Sequence, residues 1–265
     1  MAAPPPGGEN AASFLRIDSH QHFTREYLPE LLFPILKRNR FDGTVAVAHA
    51  PAKTTLSEEN RWLLGLAAEH AFIRGVVCPA DLSDPGLSDL LDEYQAHAKF
   101  RGVCSNCDSE LPTGLAELSR RDLTLDVPPR LEAALRIAAQ FPALRMVIDH
   151  IGRPSLMRAQ ADRLAELARY PKVFVKISGL ITDAPTQWKA AEFAPWVRAA
   201  LAAFGAERVM FGSDWPSYLP VGTWKESLAA FTQALGAQTL ETREQLLGAT
   251  AQRFYRLGAG SPGAF

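Results

Sequence analysis

Short apolar segments rich in β-branched residues recur along the chain, and longer amphipathic segments separate them. The short segments, each typical of a buried strand, are residues 14–18, 43–50, 72–78, 100–105, 123–127, 144–150, 173–179 and 208–214. In segments between them, such as 57–71, 130–141, 158–170 and 193–205, apolar residues repeat every three or four positions. This alternation predicts eight strand–helix units, and therefore a parallel sheet with crossover helices.

Two α/β architectures fit eight such units. A (β/α)8 TIM barrel closes the sheet, whereas an open doubly wound sheet usually carries a Gly-rich turn after its first strand. Here the first strand is followed by the residues SHQHFT, which include no glycine. We therefore predict a single-domain (β/α)8 barrel over residues 14–257, with an extra C-terminal helix within 239–257. Residues 1–13 are expected to form a disordered N-terminal tail and residues 258–265 a flexible C-terminal tail.

Composition and charge narrow the class of protein. The chain has 265 residues, 47% of them apolar, and its 28 basic and 29 acidic residues leave a net charge of −1. This balance predicts no nucleic-acid partner, and no apolar run approaches the roughly 20 residues that span a bilayer. The three cysteines and the lack of a signal-like N-terminal segment predict a soluble, cytoplasmic protein without a disulfide framework.

Polar side chains gather at the predicted carboxyl ends of three strands. Asp18, His20 and His22 are spaced two apart at the end of the first strand, so alternation places them on one face. The sixth strand ends in Asp149–His150, and the eighth ends in Asp214. Since the first and eighth strands of a barrel are neighbours, Asp214 is expected beside the two histidines. The sequence thus predicts a catalytic site at this end of the barrel.

Hydrolysis, or a related lyase reaction, is the chemistry that needs such a set of groups. Neutral imidazoles can hold one divalent metal such as zinc, with a carboxylate as a further ligand or as the base that takes a proton from water. Without a metal, the same imidazoles can donate hydrogen bonds to an oxyanion while the carboxylate acts as general base. Metal-dependent and metal-independent catalysis therefore both stay open. The residues concerned are His20, His22, His150 and Asp214.

Further candidates for substrate binding follow from their positions. Lys176 and Ser178 alternate along the seventh strand, so they share a face and are expected to point into the barrel mouth. A buried lysine needs a partner, which makes Lys176 either an anion contact or half of an ion pair with an acid. Trp215 and Tyr218, on the loop after the eighth strand, can stack on a sugar ring or only seal the mouth. Arg153, after the sixth strand, can hold an anion or cap its loop.

Five motifs in one order carry a resemblance to a known family. They are IDSHQHF (17–23), VIDHIGRP (147–154), VKISGL (175–180), FGSDWP (211–216) and ATAQRFYRL (249–257). In these motifs the chain resembles the amidohydrolase-2 family of metal-dependent barrel hydrolases. Within that family it is most similar to the lactonase branch, which includes L-fuconolactonase-like, L-rhamnonolactonase-like and pyrone-dicarboxylate lactonase proteins.

The resemblance implies a barrel enzyme in which three imidazoles and one carboxylate surround the reacting carbonyl. Asp214 would activate the water, and family members differ in whether they need a bound metal. The predicted fifth strand reads LTLDV, with Asp126 and no histidine, which argues against a two-metal site. The same absence favours lactone hydrolysis over the decarboxylation that some relatives perform. The implied site residues are His20, His22, His150 and Asp214.

One departure from the lactonase branch concerns the fourth strand. The branch usually places an Arg-His pair after a Gly-Val pair, whereas Cys104 and Ser105 follow here. Either the substrate lacks the group that the arginine would hold, or the chain belongs to a different specificity class. Cys104 is expected in a small apolar pocket wall. The leading hypothesis is a hydrolase that opens the lactone of a small sugar acid or related compound. A metal-dependent decarboxylase and a catalytically degenerate ligand-binding barrel are the alternatives, and the oligomeric state, a homodimer included, stays open.

Overall fold

The structure is a computed structural model, and it describes residues 14–48, 55–107, 113–151, 161–182 and 184–259. The predicted N-terminal tail, most of the predicted C-terminal tail and Arg153 lie outside the described residues. All strands and helices with assigned bounds belong to the described part of the chain.

Eight parallel strands follow one another around the molecule in chain order. Hydrogen bonds beyond the strand ends bring the last strand against the first, since the amide of His22 donates to the Trp215 carbonyl and the amide of Asp214 to the His20 carbonyl. The fold is therefore the predicted (β/α)8 barrel. The strands are β1 Ile17–Gln21, β2 Gly43–Val47, β3 Ile73–Pro79, β4 Phe100–Cys104, β5 Thr124–Val127, β6 Met146–Ile148, β7 Val173–Ile177 and β8 Val209–Phe211.

Helices alternate with the strands and form the outer layer. They are α1 Pro29–Arg38, α2 Leu56–Glu69, α3 Leu87–Gln95, α4 Gly114–Arg120, α5 Leu131–Gln140, α6 Ala161–Leu167, α7 Ala190–Phe204 and α8 Trp224–Leu235. Capping boxes start two of them: Thr55 with Glu58 at α2, and Thr223 with Glu226 at α8. In the part of the chain that the structure describes, no helix is long and apolar enough to cross a membrane.

The predicted C-terminal helix is present but interrupted. It consists of α9 Leu240–Glu244, a π-helical turn over Gln245–Ala249, and α10 Thr250–Tyr255. Within the turn, a Cβ atom on Gly248 would overlap the carbonyl oxygen of Leu15. The turn therefore packs directly against the segment leading into β1, which only glycine permits.

The interior of the barrel divides into an apolar end and a polar end. Phe254, Tyr255 and Leu257 of the C-terminal segment are buried against Leu15 and Ile17 of the first strand region. This cluster fills the end of the barrel where the strands begin. The polar residues predicted from the sequence therefore gather at the opposite end.

The first strand departs from regular alternation. Its register against β2 shifts between Asp18 and Gln21, which is the pattern of a β-bulge. The Asp18 carboxylate accepts hydrogen bonds from the backbone amide of Ser213 at 2.8 Å and from the indole of Trp224 at 3.0 Å. It thus turns away from the ring of His20. The prediction that Asp18 shares a face with the two histidines is wrong, because the extra residue breaks the two-residue period.

Candidate active site

Four groups from distant parts of the chain meet at the carboxyl ends of the strands. Asp214 follows β8, and its Oδ1 lies 3.5 Å from Nε2 of His22 and 4.0 Å from Nε2 of His20. His150 follows β6, and its ring centroid lies 4.6 Å from that of His20. The structure therefore brings together the carboxylate and the three imidazoles that the sequence pattern singled out.

The backbone holds these groups in unusual conformations. Asp214 and His150 adopt φ values of 66° and 57°, in the left-handed region that residues other than glycine rarely occupy. Two positions before Asp214, a Cβ on Gly212 would lie 2.6 Å from the Cβ of His20. Backbone strain and a close backbone approach at one place are typical of functional sites, where they set side-chain positions.

Asp214 is held as an anion. Its Oδ2 accepts a hydrogen bond of 2.7 Å from the hydroxyl of Thr182, so its Oδ1 is the oxygen that faces the imidazoles. Burial raises the pKa of this carboxyl, but the hydrogen bond with His22 and the neighbouring imidazoles outweigh burial and hold the pKa well below its usual range. The lowered pKa favours the ionised, proton-accepting form of this carboxylate.

A backbone carbonyl orients His22. Its Nδ1 lies 2.8 Å from the carbonyl oxygen of Val47 at the end of β2, and a carbonyl can only accept. The Nδ1–H donates to this oxygen, so Nε2 is the ring nitrogen that faces Asp214. There Nε2 donates to Oδ1 of Asp214 while it carries a proton, and it can bind a metal once that proton is lost.

His20 lies deeper in the barrel than His22, beside a buried cluster of charged side chains. Its ring is 1% exposed, and burial lowers its pKa to about 3, so the imidazole is neutral. Its Nδ1 lies 3.1 Å from Nζ of Lys176 and 3.5 Å from Oδ1 of Asp149. The lysine is completely buried and lies 2.6 Å from Asp126 and 3.0 Å from Asp149. Burial lowers the pKa of Lys176, but the two carboxylates prevail and raise it, so the ammonium stays charged.

The residues predicted to contact the substrate have different roles in the structure. Cys104 lines the cavity as expected, and burial raises the pKa of its thiol well above the usual value. Lys176 pairs with acids below the histidines and offers no exposed ammonium. Ser178 accepts a hydrogen bond from the amide of His150 and lies 3.1 Å from its Nδ1, so it orients that ring.

Trp215 and Tyr218 take the packing role rather than the stacking role. Trp215 is 1% exposed and packs edge-on against Phe23 and Tyr27, while Tyr218 is fully buried. The chain after β8 turns back into the core, so neither ring presents a face to the cavity. Of the two roles that the sequence left open for these aromatic residues, stacking and sealing, the packing in the structure favours sealing.

The cavity above the imidazoles has a volume of about 490 Å³, enough for a small ring compound. It is open to solvent on one side, and its floor is formed by the histidines and by acids of the ion cluster. The lining residues include His20, His22, His150, Asp149, Asp126, Cys104, Ser105, Asn106, Ala80 and Pro128.

Several residues of this site were missed from the sequence. Asp149 was visible beside His150 in one motif but received no role, and Asp126 was noted only because it is not a histidine. Thr182 sits in a loop after β7, and Tyr255, which donates a 2.6 Å hydrogen bond to Asp126, comes from the far end of the barrel. Neither has a local pattern that would reveal its contact.

Three of the predicted ligands fit a single divalent ion. One donor atom each from His20, His22 and Asp214 lie within 4.8 Å of one another, and His150 is not part of this set in the described chain. The Nε2 atom of His20 is buried, and no hydrogen-bond partner reaches it within the described segments. Two imidazole nitrogens and a carboxylate oxygen are a usual donor set for catalytic zinc.

Comparison with known proteins identifies the family of the chain. The profile of the Amidohydro_2 family, described as amidohydrolase, matches residues 17–257. The chain belongs to the amidohydrolase family. This amidohydrolase is 31% identical to a Burkholderia multivorans protein named L-fucono-1,5-lactonase, over 92% of this chain and 96% of that protein.

Two solved structures are also similar to this amidohydrolase. A Burkholderia multivorans amidohydrolase with bound zinc shares 30% identity and a TM-score of 0.81, over 92% of this chain and all of that one. A proposed 2-pyrone-4,6-dicarboxylic acid hydrolase from Pseudomonas putida shares 26% identity and a TM-score of 0.70, over 93% of this chain and 99% of that one. The chain therefore spans nearly the full length of these relatives.

Proposed function

We propose that this amidohydrolase opens the lactone ring of a small sugar acid or a related carboxylic lactone by adding water. The observation that carries the proposal is an ionised carboxylate, Asp214, within 4.0 Å of two imidazole nitrogens beside a cavity of about 490 Å³. The relatives named L-fucono-1,5-lactonase and 2-pyrone-4,6-dicarboxylic acid hydrolase support a cyclic ester as substrate.

In the proposed reaction, Asp214 Oδ1 takes a proton from water as the water oxygen attacks the lactone carbonyl carbon. The low pKa makes Asp214 a weak base, so the rate must come from positioning and from stabilisation of the oxyanion. Thr182 supports this role because its hydrogen bond to Oδ2 holds the carboxylate with Oδ1 toward the imidazoles. A water within hydrogen-bond reach of Oδ1 would lie directly beside a bound carbonyl.

The imidazoles stabilise the negative charge that forms on the carbonyl oxygen. His20 and His150 are neighbours at the floor of the cavity, and donors that are held in place there can stabilise an oxyanion. When the tetrahedral intermediate collapses, the bond between the carbonyl carbon and the ring oxygen breaks. The ring oxygen takes the proton from Asp214, and the product is an open-chain hydroxy acid.

The proposal includes one divalent ion, such as zinc, as an optional cofactor. His20, His22 and Asp214 would hold it, and when bound it supplies Lewis-acid polarisation of the carbonyl and a lower pKa for water. The hydrogen bond from His22 to Val47 supports this assignment, since it leaves Nε2 as the nitrogen that faces the ligand set. We also propose a cytoplasmic enzyme without a nucleic-acid partner, which the net charge of −1 and three free cysteines support.

A substrate panel tests the proposal. Purified protein is incubated with 1,4- and 1,5-aldonolactones and with pyrone lactones, and acid release is followed with a pH indicator. We expect turnover of at least one lactone, and its loss in Asp214→Asn. Release of CO2 from carboxylated aromatic acids instead would favour a decarboxylase. Binding of lactones with no reaction, unchanged by Asp214→Asn, would favour a degenerate ligand-binding barrel.

A further inference from the structure

A series of buried hydrogen bonds runs along the barrel interior from its apolar end to the imidazoles. The hydroxyl of Tyr255, in α10, donates to Oδ2 of Asp126 at 2.6 Å, and the same oxygen lies 2.6 Å from Nζ of Lys176. The ammonium in turn lies 3.1 Å from Nδ1 of His20. Tyr255 and His20 are each 1% exposed, while Asp126 and Lys176 are fully buried. This series therefore links the C-terminal helix to the site through groups that are almost completely buried.

The direction of these hydrogen bonds determines the tautomer of His20. An ammonium has three donors and no acceptor. The three partners around Nζ of Lys176 are Asp126 at 2.6 Å, Asp149 at 3.0 Å and Nδ1 of His20 at 3.1 Å. Because the lysine can only donate, Nδ1 of His20 must accept. The proton of the neutral ring is then on Nε2.

We propose that Lys176 is a positioning residue that holds His20 in the tautomer with its proton on Nε2, facing Asp214 and the cavity. Asp126 and Tyr255 keep the ammonium in place from below. In this tautomer His20 is a hydrogen-bond donor, which suits it to the carbonyl oxygen of a bound substrate. Only this catalytic consequence rests on the proposed function; the tautomer itself does not.

Asp149 offers His20 the opposite arrangement. Its Oδ1 lies 3.5 Å from Nδ1, so a proton on Nδ1 could be donated to this carboxylate. The Nε2 lone pair would then point at the ligand set, as a bound metal requires. The ammonium is nearer to Nδ1, and it also lies against Asp149. Zinc binding through His20 therefore requires the ring to exchange Lys176 for Asp149.

Two variants separate the partners of Nδ1. Lys176→Met combined with Asp126→Asn removes the ammonium and one carboxylate together, so the formal charge of the cluster does not change. Asp149→Asn replaces the competing carboxylate with a neutral, weaker acceptor and leaves the Lys176–Asp126 pair intact. It serves as the matched control, since it also deletes a buried charge from the same cluster.

The first readout is the 15N spectrum of His20 in zinc-free protein, assigned with His20→Gln. The wild type and Asp149→Asn are expected to show a protonated Nε2 and an unprotonated Nδ1. The double variant is expected to show the reverse, because Nδ1–H then donates to Asp149. A proton on Nδ1 in the wild type, or on Nε2 in the folded double variant, would overturn the proposal. Should the double variant fail to fold, the wild type and Asp149→Asn still decide.

The second readout is zinc affinity, measured by calorimetric titration without any lactone. Changes to groups that orient a metal-bound histidine alter metal affinity by about 10- to 100-fold. We expect the double variant to bind zinc about tenfold more tightly than the wild type, and Asp149→Asn to bind it at least tenfold more weakly. Equal zinc affinities in the three proteins would contradict the proposal that Lys176 sets the tautomer of His20. Neither readout depends on lactone turnover, so failure of the proposed function would leave this test intact.

Discussion

Replacing Gly212 by alanine tests, with a single added carbon, whether the position of His20 determines the rate. Gly212 directly follows β8, and a Cβ atom there would lie 2.6 Å from the Cβ of His20 and 3.2 Å from the Cβ of Ser178. Both neighbours belong to the site, since Ser178 orients His150. The substitution therefore pushes on two imidazoles while it leaves every polar group in place.

The size of the effect follows from the overlap. Two carbon atoms pack best at about 3.5 to 4.0 Å, so β1 and β8 must separate by about 1 Å near His20. A misplacement of about 1 Å in a catalytic group lowers the rate by roughly 100-fold. The extra carbon in a filled interior also costs about 1–3 kcal/mol of unfolding free energy. We expect a folded protein with much lower kcat/KM.

The assay is kcat/KM for the best lactone, with urea unfolding measured in parallel. Gly65→Ala is the matched control, because Gly65 lies within α2 and a Cβ there meets nothing within 4 Å. That variant is expected to keep the wild-type kcat/KM and to gain up to about 1 kcal/mol from helix propensity. A folded Gly212→Ala protein with wild-type kcat/KM would refute the argument that the rate depends on where β8 holds His20.

Three further outcomes are expected. Thr182→Val removes the donor to Asp214 Oδ2, so kcat should fall about tenfold or more with little change in KM; recovery in Thr182→Ser would separate the hydroxyl from packing. Ser178→Ala should lower kcat through the ring of His150 while His20 keeps its 15N shifts. Burial lowers the pKa of His20 to about 3, whereas the pKa of a histidine in an unfolded chain is about 6.5. The unfolded chain takes up the proton first, so the contribution of His20 to the unfolding free energy falls as the pH drops from about 6.5 toward 3. Urea unfolding across that range should show that the unfolding free energy of His20→Gln depends less on pH than that of the wild type. An equal pH dependence in the two proteins would contradict this.

The barrel could be predicted because its strands and helices carry opposite hydrophobic periods. The least accurate strand was the first, predicted at 14–18 and found at Ile17–Gln21. Its last four residues are Asp18, Ser19, His20 and Gln21, all of them buried polar residues. Polar residues at the end of a strand normally indicate a loop, so the hydrophobic pattern predicted that the strand ends at residue 18, before its actual end at Gln21. The polar composition of this part of β1 follows from its place at the site and not from packing of an apolar core.

The site was predictable where its residues sit on strand ends and not where loops or distant elements supply them. Spacing and strand order were enough to expect Asp214 beside His20 and His22. The contacts of Thr182 and Tyr255 depend on loop conformation and on how α10 enters the barrel, which no local pattern encodes. The orientation of Asp18 failed for a similar reason, because one extra residue in β1 reverses the side it faces.

Whether Asp214 takes the proton from water is tested most directly by Asp214→Asn, which keeps the shape of the side chain and removes its charge. General-base catalysis contributes about 100- to 10,000-fold, so kcat/KM should fall by at least about 100-fold while an unreactive lactam analogue binds as before. Asp42→Asn, at a buried aspartate before β2, is the control and should change stability only. A folded Asp214→Asn protein that opens the lactone at the wild-type rate would contradict the role of this carboxylate.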